Sequence, residues 1–110
     1  MKEVSTVWLD ANVKFLLPDG RDSFRRSFWN SGLRADIELG TTRTIGAIYL
    51  SEENPQGGFM SSGQWYSVHL HLIVVQSMQA ILTAGTRFTI WCGSWQIGEG
   101  VIHSKLKARP

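Results

Sequence analysis

Three histidines, one cysteine, a carboxylate between two glycines and a cluster of arginines among aromatic rings carry most of the chemistry this 110-residue chain can offer. His69 and His71 stand at i, i+2, the spacing that puts two imidazoles on one face of a strand. His103 on a neighbouring strand, with Cys92 as the other candidate, would complete a metal-ligand set. A polar solvent face has the same pattern and is the commoner outcome, so no metal is expected. Cys92 as a nucleophile would need a base and a group to orient that base. Neither has a signature here, and a small hydrophobe, buried or at a rim, is the expected role.

Glu99 lies between Gly98 and Gly100. A carboxylate at a bulge can be re-aimed into a binding contact, although a solvated rim position is commoner. No second carboxylate pairs with it, so general acid–base catalysis has no support. Gly58-x-x-x-x-Gly63-Gln64 lacks the Lys and the Ser/Thr of a phosphate-binding loop. No cofactor is expected, and an enzyme is the least favoured class. Loss of turnover on Cys92→Ala or Glu99→Gln would be needed to revive it.

The best binding candidates are Arg21, Arg25 and Arg26 beside Phe24, Phe28 and Trp29. Arg and aromatic side chains are favoured at protein interfaces and for stacking on exposed bases. The alternative is a solvated loop pinned to the core by its rings. Trp8, Trp65, Trp91 and Trp95 are candidates for a second patch, because Trp65 and Trp91 fall opposite the expected core rows. Exposed apolar patches mark interaction sites.

These residues must be positioned by strands. Leu33, Ala35, Ile37 and Leu39 alternate with Arg34, Asp36 and Glu38. Tyr66, Val68, Leu70 and Leu72 oppose Trp65, Ser67, His69 and His71. Val4 to Phe15 reads as one or two strands, and Thr44 to Leu50 as another with a bend at Gly46. Phe88, Ile90 and Cys92 alternate with Arg87, Thr89 and Trp91. Gly93-Ser94 then fits a two-residue hairpin loop into Trp95 to Leu106. Gly98 and Gly100 mark a bulge or a close backbone approach.

Pro18-Asp19-Gly20, Gly40-Thr41-Thr42, the loop from Ser51 to Gly58, and Ser62-Gly63 punctuate the strands. Arg21 to Asn30 reads as a loop or irregular edge. Val74 to Thr83 is ambiguous between an extended crossover and a helical turn, with Met78, Ile81 and Leu82 at i, i+3, i+4. From about residue 105 a basic tail is expected to fray.

Roughly six strands with short connections predict an all-β fold, a small closed six-stranded antiparallel barrel, as a single domain over residues 1–110. Such a chain can bury roughly two-thirds of its unfolded surface. A net charge of +2 does not by itself indicate a nucleic-acid binder. One cysteine excludes an internal disulfide and fits a reducing compartment. Met1 to Asp10 carries two acidic residues and no apolar core, so no signal peptide is expected. No apolar run approaches about 18 residues, so no membrane association is expected. The expected location is cytoplasmic.

The stretch Arg87-Phe-Thr-Ile-x-x-Gly93-x-x-x-Ile97-Gly98-x-Gly100-Val101-Ile102 resembles the end of the C-terminal β-barrel domain of translation elongation factor Tu. That domain closes on an Arg-Phe-Ala-Ile, Gly-Gly, Val-Gly-Ala-Gly-Val-Val pattern. Phe28-Trp29-Asn30-Ser31-Gly32-Leu33-Arg34 resembles the family's Phe-Phe-x-Gly-Tyr-Arg. Thr41-Thr42-Arg43-Thr44-Ile45-Gly46 resembles its Thr-Thr-Asp-Val-Thr-Gly, and Met60-Ser61-Ser62-Gly63-Gln64 its Met-x-Pro-Gly-Asp turn. Order and approximate spacing hold from about Asn12 to Leu106. The resemblance implies a six-stranded antiparallel barrel.

In the family this barrel helps hold the T stem of aminoacyl-tRNA. The positions matching its RNA contacts are here Asp36, Ile45, Cys92 and Gly93, and only the Gly is kept. An Asp facing phosphate is unfavourable, and loss of the Thr hydroxyl and the Glu removes polar contacts that fix register. The family's GTPase domain has no counterpart in these residues.

The expected function is a non-catalytic binding module built like that barrel, docking a protein partner, for example as an immunity or inhibitor protein. Its candidate contacts are Arg21, Phe24, Arg25, Arg26, Trp29, Trp65, Trp91, Gly93, Trp95 and Glu99. The alternative is a tRNA- or RNA-binding accessory to translation that uses the Arg21–Arg26 loop. The two differ in salt dependence, which is steep only for phosphate-driven binding.

Overall fold

A computed structural model describes residues 4–18, 26–51 and 58–110. Eight strands occur in it: β1 (Val4–Phe15), β2 (Phe28–Asn30), β3 (Leu33–Leu39), β4 (Thr42–Leu50), β5 (Phe59–Ser61), β6 (Trp65–Val75), β7 (Arg87–Cys92) and β8 (Trp95–Lys105). Six of them close into an antiparallel barrel in the order β1-β6-β4-β3-β7-β8, with β8 returning to β1. Closure leaves those six strands no unpaired edge. The remaining two, β2 and β5, pair only with each other.

The period-two pattern accounts for the interior. Val7, Leu9, Ala11, Val13 and Phe15 of β1 point inward and are buried. They meet Tyr66, Val68, Leu70, Leu72 and Val74 of β6. Ile37, Leu39, Ile48, Phe88, Ile90, Ile97 and Ile102 complete the packing from the other strands. Each fully buried aliphatic or aromatic side chain contributes roughly 1.5–3 kcal/mol. No helix among the described residues is long and apolar enough to cross a membrane.

Both ends of the barrel are plugged. Val4 pairs with Val75, and the chain then forms a 3-10 helix, Gln76–Ile81, at that end. Met78 and Leu82 are buried there, so the ambiguous segment resolves into a strand to Val75 followed by a short helical turn. At the opposite end Trp29 pairs with Met60 in the β2–β5 ribbon, and both are buried. The Trp29 ring lies 5.3 Å from that of Phe15. The segment read as a loop from Arg21 to Asn30 therefore ends in a strand.

Three glycines are placed by space or backbone angle. A Cβ on Gly100 would lie 2.2 Å from the Phe88 ring, so only Gly lets β8 pass beneath it. A Cβ on Gly46 would meet Ile37, Leu70 and Leu72 at 2.9 to 3.1 Å; Gly46 serves inward packing rather than a bend. Gly93 has φ +60° in the β7–β8 turn, where Cys92 pairs with Trp95.

Two register shifts interrupt the ladders. Ile90 pairs with Gly98 but Trp91 with Gln96, which leaves Ile97 as the extra residue. Asp10 pairs with Ser104 but Ala11 with Ile102, so His103 is the extra residue beside β1. The tail is fixed further than expected. Lys105 is still in β8, and the Leu106 N–H donates to the Trp8 carbonyl at 2.9 Å.

Candidate functional site

Of the arginine-aromatic cluster, Arg21, Phe24 and Arg25 lie outside the described residues. Arg26 stands 5.6 Å from the centre of the Trp29 ring, and its carbonyl accepts a hydrogen bond from Ser62 Oγ at 2.5 Å. Trp29 itself is only 7% exposed. It is a core residue, not a docking residue, because β2 turns its ring inward onto Phe15. Its indole N–H is buried with no hydrogen-bond partner among the described residues.

The other four tryptophans do not form one patch. Trp8 pairs with His71 near one end of β6, and Trp65 pairs with Lys14 at its other end. The two sites are six positions apart along the strand, about 20 Å. Trp65 is 51% exposed. Lys14 also pairs with Glu99 of β8, so Trp65, Lys14 and Glu99 form a row across three strands. Trp65 and Glu99 line a shallow pocket of about 160 Å³ with Arg87 and Thr89. Sequence pattern places Trp65, Arg87 and Thr89 on outer faces, and the register brings Lys14 and Glu99 beside them.

Trp91, Gly93 and Trp95 gather at the β7–β8 turn. The Arg43 guanidinium lies 4.5 Å over the Trp91 ring. Arg43 also donates to the Gly93 carbonyl at 2.9 Å and to Glu38 at 3.2 Å. The Trp91 indole N–H donates to Thr89 Oγ1 at 2.8 Å. Trp95 is 43% exposed.

Asp36, Ile45, Cys92 and Gly93 converge on this wall. Asp36 of β3 pairs with Ile45 of β4 on one side and with Trp91 of β7 on the other. Directly paired residues share a face, so Ile45, Asp36 and Trp91 form one outward row, with exposed Cys92 and Gly93 beside it. Ile45 is 53% exposed. Of the cations on this wall, Arg43 bonds Glu38 and the Gly93 carbonyl, while Arg34 of β3 and Arg87 of β7 are exposed. The row itself presents an aliphatic side chain, a carboxylate and a covered indole.

Two surfaces are assembled by the fold from residues that the sequence singled out only separately, among them Phe28, Trp8, His69 and His71. Phe28 and Phe59, both about half exposed, pack edge to face at 5.4 Å on the outer side of the β2–β5 ribbon. They are 31 positions apart in the chain, and both strands have three residues, too short for periodicity to speak. The second surface is the outer wall of β1, β6 and β4. There Trp8 stacks on His71, with ring centres 4.2 Å apart and planes 3° from parallel. Tyr49 lies 5.7 Å from Trp8 at 37°. His69 Nδ1 lies 2.8 Å from Asp10 Oδ1, and Ser67 Oγ donates to Asn12 Oδ1 at 3.3 Å. A groove of about 740 Å³ runs over this wall, bounded by His103 and by Arg109 and Pro110 of the tail.

His69 and His71 share this wall, but the first is held by Asp10 and the second is stacked on Trp8. No group of three or more His, Cys, Asp or Glu among the described residues is placed to hold a metal ion. Cys92 is a free, exposed thiol next to the turn. No protein-family model matches the chain, and no curated protein matches its sequence.

Proposed function

We propose that this protein is a non-catalytic binding module, built like the C-terminal barrel of elongation factor Tu, that docks a protein partner through the β4–β3–β7 wall. The observation that carries this reading is the outward row Ile45, Asp36 and Trp91, flanked by exposed Trp95. An exposed aliphatic residue beside aromatic rings suits the centre of a protein interface. The row suits phosphate less well, because Asp36 and Glu38 repel it and Arg43 is engaged, which leaves Arg34 and Arg87 as the exposed cations of the wall. Glu99 and Trp65 lie on the adjoining wall and belong to the rim of the same proposal.

The partner class follows from the resemblance: a protein that recognises the translation factor's barrel, which a stand-alone copy would intercept in the manner of an inhibitor or immunity protein. The test is affinity capture from source lysate with the wild-type chain and with Ile45→Asp. Ile45 is on the outer face, so the variant keeps its fold. A protein retained by the wild type and lost, by tenfold or more, with Ile45→Asp supports the reading. Equal retention by both, or capture of RNA in place of protein, sinks it.

A further inference from the structure

We infer that the groove over β1, β6 and β4 is a binding site for a neutral saccharide, distinct from the docking wall, with which it shares only β4. Its volume of about 740 Å³ is within the range of sites for small ligands, roughly 300–1,000 Å³. Aromatic rings and planar polar groups meet in it. Trp8 and Tyr49 supply the rings. The carbon-bound hydrogens of a pyranose are slightly positive and pack on the negative face of such a ring. Because Trp8 and Tyr49 are inclined at 37° with centres 5.7 Å apart, they touch each other and leave no parallel slot between them. A flat nucleobase needs such a slot for two-sided stacking; a puckered sugar ring needs one platform.

The polar groups match vicinal hydroxyls. Asp10 can accept from two hydroxyls at once, and the Asn12 amide nitrogen and His103 add donors and acceptors. They are fixed before any ligand arrives. His69 holds Asp10 at 2.8 Å, Ser67 holds Asn12 at 3.3 Å, and His71 fixes the Trp8 plane. Preorganised groups spare the ligand an ordering cost. The charges also favour a neutral ligand. Asp10 and Arg109 are the permanently charged side chains among the lining residues, and they are of opposite sign.

The experiment is a titration of the full chain with maltose, lactose, cellobiose and chitobiose, followed by tryptophan fluorescence and by amide chemical shifts, with adenosine and uridine as the flat-ring arm. At least one disaccharide should bind saturably, with a dissociation constant on the order of 1 mM, and shift the amides of β1 and β6. Trp8→Ala should weaken it at least about tenfold, and Asp10→Asn about three- to tenfold. Trp65→Ala, at the other end of β6, should leave it unchanged. If Trp8→Ala does not fold, Trp8→Phe should retain weaker binding while Asp10→Asn still reports the loss. No saturable binding by any disaccharide, binding equal in Asp10→Asn, or preference for a nucleoside overturns the proposal.

Discussion

On the β4–β3–β7 wall, Trp91 is covered: Arg43 lies over its ring and is itself tied to Glu38 and to the Gly93 carbonyl. On the β1–β6 wall, Trp8 is braced from one side by His71 and stands at the edge of an open groove. The same residue type, on the outside of the same barrel, is in one place sealed by a cation and in the other supported for contact. The first wall offers apolar area, through Ile45 and Trp95, beside an Arg43 that is tied to Glu38 and Gly93. The second offers polar groups held at fixed positions by neighbours that are not themselves needed for contact. Flat apolar area suits a macromolecular partner, and preorganised polar groups in a concavity suit a small one.

The largest expected effect is one that collapses both walls together. β8 joins β7 to β1, and Gly100 is where it passes under the Phe88 ring. Gly100→Ala should cost about 3 kcal/mol in denaturant unfolding, since the buried ring has little room to withdraw. A cost below roughly 0.5 kcal/mol would mean that the close approach is not what joins the walls. Next comes Trp8→Ala, which removes a half-buried indole and its stacking on His71. It should cost about 2 kcal/mol.

Arg43→Ala should cost well under about 1 kcal/mol, because exposed ion pairs and exposed cation–π contacts are each weak. Its clearer signature is optical: the Trp91 emission should move to the red as the ring meets water. If Arg43→Ala destabilises as much as Trp8→Ala, the contrast between a sealed ring and a braced one fails.

Much of this architecture was legible in the sequence because β1, β3 and β6 are long enough for alternation to fix their inner faces, and because Gly93-Ser94 can form little but a tight turn. The barrel and its core rows follow from that. The β2–β5 ribbon does not, since two three-residue strands leave no period to read, so Trp29 reads equally as a contact or as a ring pinning a loop to the core. Pairs across the barrel are equally hidden. Asp10 and His69 are 59 positions apart, and only the register of β1 against β6 makes them partners. The row Ile45, Asp36 and Trp91 is hidden for the same reason: each residue could be placed on an outer face, but not beside the others.

The account rests on the proposal that the β4–β3–β7 wall docks protein and not RNA, and a tRNA titration across salt tests this most directly. Fluorescence anisotropy with total tRNA, run between about 50 and 200 mM salt, should show only weak association with a shallow salt slope. Tight binding whose affinity falls steeply over that range, and which Ile45→Asp abolishes, would contradict it.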